Sequence, residues 1–375
     1  MSFIRKIRNY INKTDIISIP AKTKSSKYAL VSYIISPFLD ENIQIFHSNV
    51  LECKIIVKTL LDLGYNVDII NWDNDTFIPQ KKYSLFLDIH NNMERLHNRL
   101  DSSTIKILYA TGAHWLYQNH AEYSRLIDIQ KRKGYSLVPR RYSPPCRSIE
   151  YSDYVIILGK KTAYESFQYA NKPIFPVDLL SIISYDWNAN KDFNAARKKF
   201  LWLGGKGLAH KGLDLVLDTF SELPNLELFI CANISDEPDF EELYHKELYK
   251  TENIHYLGWI NINSSLFSDI LQKCGSIVFP SCSEAQSPSV ITCMHGGLIP
   301  IISTQCGLEI NDFGIELKEC SIKEIDHAVN IVANFEPTFF IQNAKKSWNY
   351  AKQTHTIENY SLQIKNTLKY IVNSD

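Results

Sequence analysis

The stretch GSIVFPSCSEAQSPSVITCMHGGLIPIIS, residues 275–303, decides the architecture of this chain. Its apolar run ends at Pro280 and gives way to a polar loop, the length and flanks of a buried strand. A helix then reads from Ser287, a capping residue type, and Pro288, whose missing amide proton costs nothing in a first turn. Two glycines close that helix, and LIPIIS begins a second short buried run. Strand, loop, helix and strand together form the unit of a parallel sheet. The loop falls at the carboxyl end of its first strand, where such sheets bind ligands. Glu284 sits in it, so one carboxylate stands beside free helix amides, able to accept hydroxyl protons while the amides hold anionic oxygens.

Outward from this unit the same alternation fills the chain and predicts a parallel α/β protein. Before it come strands at KFLWLGG, LELFICA and NIHYLG, separated by helices at GLDLVLDTFSEL and DFEELYHKELY, with LFSDILQKCG as the helix entering the 275–303 unit. After it, helical stretches are expected near 323–334 and 341–372. In the N-terminal half, strands read at 27–34, NVDIIN, YSLFLDIH, TIKILYAT and DYVIILG. Ser48 is placed to cap a helix running to Gly64, and further helices are expected around 115–133 and 161–170. Residues 179–198 have no clean period and turn polar, which suits a linker. The length of 375 residues favours two domains. The division reads as 1–180, a linker over 181–198, 199–345, and a closing helix over 346–375.

A second chemistry-bearing segment is FLWLGGKGLAHKGLDLVL, residues 200–217. A buried strand runs into Gly204 and Gly205, then a loop with Lys206 and Lys211, then a helix near Gly212. Glycines admit a ligand close to the backbone, and two ammonium groups neutralise a diphosphate. The spacing matches neither a Walker A loop nor GxGxxG. Taken alone, the segment reads equally well as a turn with solvated lysines.

Together the two segments resemble the donor site of the family-4 retaining glycosyltransferases of the GT-B fold. That family has a Gly-Arg pair followed five residues later by Lys-Gly, both cations contacting the donor diphosphate. Gly205-Lys206 and Lys211-Gly212 hold that spacing here, with Arg replaced by Lys, an ammonium without the bidentate fork. The family also carries two Glu separated by seven residues. PSCSEAQSPSVITCMHGGLIPI aligns without a gap, with Glu284 first, whose family role is to bind hydroxyls of the transferred sugar. Thr292 holds the second position, which usually binds the nucleotide ribose. The ending, AKKSWNYAKQTHTIENYSLQIKNTLKYIV, resembles the family's closing helix, which crosses back to the N-terminal domain. The likeness is good over about 198–370 and looser over 28–178.

The resemblance implies two Rossmann-like domains facing a cleft, and transfer of sugar from a nucleoside diphosphate sugar to an acceptor hydroxyl with retention. Lys206, Lys211, Gly204 and Gly205 would hold the diphosphate, Glu284 the sugar, and Ser287 and Thr292 the sugar or nucleotide. His114, in ATGAHW at the end of a predicted strand, stands where the family has a His touching donor sugar or phosphate. A His bonded to a neighbouring carbonyl is the rival reading. His47 is similarly placed, with less to support it. No metal or cofactor is implied, only the nucleotide sugar as substrate. The acceptor would be a glycan or lipid-linked hydroxyl, in a setting such as cell-surface polysaccharide synthesis. A degenerate GT-B protein that binds a glycan or protein without catalysis is the alternative, and a sugar-nucleotide epimerase or phosphorylase is another.

Composition restricts the remaining classes. At 45% hydrophobic and 22% charged the chain is globular, and a net charge of -1 gives no field for nucleic acid. None of the eight cysteines forms a CxxC pair, so reduced residues of a cytoplasmic protein are expected. Asp73-Asn74-Asp75 spells a metal-binding DxD but reads as a turn. Arg140, Arg141 and Arg147 read as a solvated basic loop. No stretch is long and apolar enough to span a bilayer. Residues 1–13 place Phe3, Ile4, Ile7 and Ile11 opposite Arg5, Lys6, Arg8 and Lys13. That pattern suits peripheral contact with the inner face of a membrane, or a frayed or docked helix.

Overall fold

The computed structural model describes residues 15–40, 47–310 and 312–374; the basic amphipathic start falls outside them. Thirteen strands form two sheets among the described residues. The first contains β1 (Ile16–Ile19), β2 (Tyr28–Tyr33), β3 (Asn66–Asn71), β4 (Leu85–Asp88), β5 (Ile105–Ala110), β6 (Tyr154–Leu158) and β7 (Ile174–Val177) in the order β1-β3-β2-β4-β5-β6-β7. Only β1 runs antiparallel to its neighbour. The second contains β8 (Lys199–Leu203), β9 (Glu227–Cys231), β10 (Ile254–Tyr256), β11 (Ser276–Phe279), β12 (Ile299–Ser303) and β13 (Ile315–Leu317), all parallel, in the order β10-β9-β8-β11-β12-β13. Strands β4, β11 and β12 are buried along their whole length, as parallel strands covered on both faces must be.

Eight helices of eight residues or more pack against the sheets among the described residues: α1 (Ser48–Asp62), α2 (Trp115–Lys133), α3 (Leu213–Phe220), α4 (Ser265–Lys273), α5 (Pro288–His295), α6 (Ile322–Ala333), α7 (Pro337–Thr354) and α8 (Ile357–Ser374). The cap of α1 is His47, whose Nδ1 accepts the Asn49 amide at 3.2 Å, while Ser48 is already helical. This corrects the expectation of a Ser48 cap. Gly134 ends α2 in the left-handed conformation at φ 66°, donating its amide to the Gln130 carbonyl at 2.9 Å.

The long closing helix expected over 341–372 is two helices broken at His355. His355 is buried; its Nδ1 meets the Leu179 carbonyl at 2.8 Å, and its own carbonyl accepts the Ser181 amide at 3.1 Å. The capping residue Thr356 restarts the helix, accepting the Asn359 amide at 3.0 Å. Helix α7 stays on the second sheet, packed against α5 and β12, while α8 crosses to α1 and β7 of the first. There the Tyr360 and Tyr109 hydroxyls lie 3.0 Å apart, and Glu52 Oε2 accepts from Tyr109 at 2.7 Å and Tyr33 at 3.1 Å. Residues 178–198 join the sheets but do not hang free: Lys191 Nζ donates to the Leu271 and Cys274 carbonyls at 2.7 and 2.6 Å.

Candidate functional site

In the second sheet the chain lays β9 and β10 on one side of β8 and β11 to β13 on the other, so order reverses between β8 and β11. That switch point leaves a crevice at the carboxyl ends of the two strands. The loop after β8 carries Lys206 and Lys211; the loop after β11 carries Glu284. Gly212, at φ 77°, brings the two together: a Cβ there would stand 2.4 Å from the Pro280 carbonyl oxygen.

Lys211 Nζ forms an ion pair with Glu284 Oε1, their side chains only 12% and 9% exposed. Ser281 Oγ donates to the same carboxylate oxygen at 3.2 Å, and the Lys211 ammonium lies 5.5 Å from the centre of the Phe279 ring. Burial alone would raise the Glu284 pKa, but Lys211, Arg141 and His210 outweigh it and hold the carboxyl below its ordinary value. A hydroxyl-binding carboxylate and a phosphate-binding ammonium are thus side by side, each satisfying the other's charge.

The remaining sequence-predicted residues divide. Lys206 is exposed and has no ion-pair partner among the described residues, so its ammonium remains available to an anion. Gly204 serves packing, since a Cβ there would meet the Trp202 ring at 2.3 Å, whereas Gly205 faces open space. Ser287 precedes α5 but does not cap it through its side chain; its Oγ is buried without a partner. Its amide is drawn instead to the Cys306 carbonyl at 3.1 Å. Thr292 is buried on α5, and its hydroxyl has no hydrogen-bond partner among the described residues. His114 caps α2, accepting the Leu116 amide at 3.4 Å, and lies against Phe167 and Tyr169. Its backbone amide donates to Ser166 Oγ at 2.9 Å. These partners all belong to the first sheet's side, and among the described residues no hydrogen bond or ring contact joins His114 to the Lys211–Glu284 pair. Asp73 to Asp75 follow β3 in a turn closed by the Asn74 amide on the Asn71 carbonyl at 3.0 Å.

Helix α2 supplies what sequence reasoning missed. Arg125, fully wrapped in protein, donates to the Ala209 carbonyl at 3.1 Å, the Pro280 carbonyl at 3.1 Å and Asp214 Oδ1 at 3.3 Å. One guanidinium from the first domain therefore fastens both site loops and the start of α3. Arg132 reinforces it with a 2.6 Å contact to Asp214 Oδ2. The loop after α2 is not simply solvated either: Arg140 Nη2 lies 2.5 Å from Asp239 Oδ1, and the Arg141 side chain packs over Gly207. Within α2 the polar side chains of Glu122 and Arg125 are one turn apart and both buried. Sequence offers only that spacing as a signal, because their partners across the domains, His210 and Asp214, lie more than eighty positions away.

This architecture of two parallel sheets, with a final helix returning to the first, is the GT-B fold of glycosyltransferases. Sucrose-phosphate synthase from Thermosynechococcus elongatus superposes with a TM-score of 0.63 at 12% identity, covering 94% of this chain and 100% of its own. Anabaena HepE in complex with UDP and glucose superposes at 0.57 and 12% identity, covering 92% and 100%. WaaG, a glycosyltransferase involved in lipopolysaccharide biosynthesis, superposes at 0.53 and 14% identity, covering 90% and 98%. No protein-family model matches the sequence, and comparison with curated proteins finds no match.

Proposed function

We propose that the chain is a glycosyltransferase that moves a sugar from a nucleoside diphosphate sugar to an acceptor hydroxyl. The observation that carries this reading is the buried Lys211–Glu284 pair at the switch point of the second sheet. On donor binding, Lys211 turns from Glu284 to the diphosphate and, with exposed Lys206, stabilises charge on the leaving group. Glu284, relieved of its full share of Lys211, accepts the sugar hydroxyls. The amides of Ser289 and Val290 precede the first bond of α5, Ile291 N–H to the Ser287 carbonyl at 3.1 Å, and so have no partner within the helix. The unpartnered hydroxyls of Ser287 and Thr292 supply further polar groups on that helix.

With two ammonium groups and helix amides carrying the diphosphate charge, the reaction proceeds without a metal ion. Retention of configuration belongs to the proposal through the resemblance to family-4 enzymes. The acceptor is a glycan or lipid-linked hydroxyl presented by the first domain, on the cytoplasmic side of a membrane. None of the described helices is long and apolar enough to cross one.

The test is release of nucleoside diphosphate from a panel of UDP-, GDP- and ADP-sugars, with and without glycan acceptors. One donor should be turned over, and Lys211→Ala should lower the rate by about a hundredfold, the usual cost of a lost charge-stabilising contact. A wild-type protein that cleaves none of the panel contradicts the reading.

A further inference from the structure

His210 lies between the two site loops and is fully buried. Its Nε2 is 2.7 Å from the Ser283 carbonyl oxygen, and its Nδ1 is hydrogen-bonded to Glu122 Oε2. A carbonyl and a carboxylate only accept, so both ring nitrogens must donate and the ring is an imidazolium. The second Glu122 oxygen accepts the amides of Arg140 at 2.8 Å and Arg141 at 3.1 Å. The His210 carbonyl in turn accepts the Cys282 amide at 2.9 Å, and Ser281 Oγ, whose one proton is shared with Glu284, lies 3.3 Å from it. Residues 210 and 283 each immediately precede a member of the Lys211–Glu284 pair. A carboxylate of the first domain therefore governs, through one ring, where the second domain holds both of its charged site residues.

We propose that Glu122 and His210 form a positioning pair for the donor site, fixing the 281–284 loop so that Glu284 faces Lys211 while the domains are closed. The pair touches neither reacting group; it acts through the Ser283 carbonyl and the backbone of Lys211. Opening the domains would separate a buried cation from a buried anion, so closure and alignment of Glu284 are one event. The groups facing the ring are Glu122 from α2, and Cys282 and Glu284 from the loop after β11. Burial lowers the ring's proton affinity, but Cys282, Glu122 and Glu284 outweigh it and push its pKa up to about 9.

The catalytic consequence rests on the glycosyltransferase reading; the structural one does not, and two ligand-free measurements isolate it. In protein labelled with 15N-histidine, the His210 signals, assigned with His210→Gln, should report a doubly protonated ring at neutral pH. A neutral ring overturns the proposal. Hydrogen exchange followed by mass spectrometry should show residues 280–286 exchanging about tenfold faster in Glu122→Gln and His210→Gln, with β9 unchanged. The double variant, whose two amides can pair, should restore slow exchange. Wild-type exchange in both single variants overturns the proposal, and equal acceleration in β9 would mean loss of fold rather than of position.

With whichever UDP-, GDP- or ADP-sugar the wild type turns over, the single variants should lower kcat about tenfold, leave donor KM within about threefold, and recover in the double variant. Unchanged kcat despite a loosened loop overturns the positioning role. Failure of the wild type to use any donor bears on the proposed activity alone.

Discussion

Glu284 and Lys211 are each held in a state that depends on the other, and that dependence can be read as stability against pH. Glu284 has its folded pKa below the ordinary glutamate value. Its charge therefore stabilises the fold above that ordinary value, and the contribution is lost as pH falls through the folded one. Lys211→Met should move this acid loss to higher pH and cost about 3–5 kcal/mol near neutrality, because an unpaired buried carboxylate remains. Urea unfolding at several pH values checks it; coincident acid limbs for the two proteins would contradict it. His210 has the opposite sign. Its pKa is raised from 6.5 to about 9, so its contribution is complete below 6.5 and lost as pH rises through about 9. Glu122→Gln should flatten that basic limb. That Lys211 and Glu284 would lie together was legible through the resemblance of their two segments to a donor site. The roles of Glu122, Arg125 and Arg141 were not, since what makes them matter is a partner on the opposite domain.

Among the elements, the alternation of short apolar runs located the parallel strands from β2 to β6 and from β8 to β12, because strands buried on both faces need continuous apolar sequence. It missed β1, β7 and β13. Strand β1 is an edge strand whose residues alternate between exposed and half-buried, while β7 (Ile174–Val177) contains a proline and is largely half-buried, so neither is a fully buried strand. The break between α7 and α8 was hidden for another reason: apolar spacing continues through it. Thr356, with its capping role, was the available signal. The glycines of the 204–212 loop looked alike in sequence, yet the structure separates them. Gly205→Ala should alter stability by less than about 1 kcal/mol, having open space around it. Gly212→Ala should cost about 1–3 kcal/mol and weaken donor binding, since it combines a left-handed backbone with a clash on Pro280. Chemical denaturation of both variants tests the contrast, and equal losses would contradict it.

Across the whole molecule the two domains are bound by buried ionic contacts from α2 at one place and by α8 at another. Tyr360 inserts its hydroxyl beside Tyr109 in the core of the first domain, on a helix that follows α7 of the second. Truncation after Thr354 should therefore leave Glu52 and Tyr109 without their cover and yield a protein that melts well below the full chain or aggregates. Tyr360→Phe should cost only about 1 kcal/mol, the net worth of one hydrogen bond. A truncated chain melting like the full one would contradict this account of α8. The paired-domain fold was legible in the sequence through the 200–217 and 275–303 segments, whereas domain closure was not, because it is made of contacts between residues far apart in the chain. Lys211 and Glu284 are the proposed donor site for a nucleoside diphosphate sugar. Its most direct measurement is thermal unfolding with UDP, GDP, ADP and their sugars at millimolar concentration, for wild type and the Lys211→Ala, Glu284→Ala double variant. One nucleoside diphosphate and its sugars should raise the wild-type midpoint by a few degrees, as saturation at about a hundred times Kd would, and leave the double variant unmoved. No shift with any ligand, or the same shift in both proteins, would contradict it.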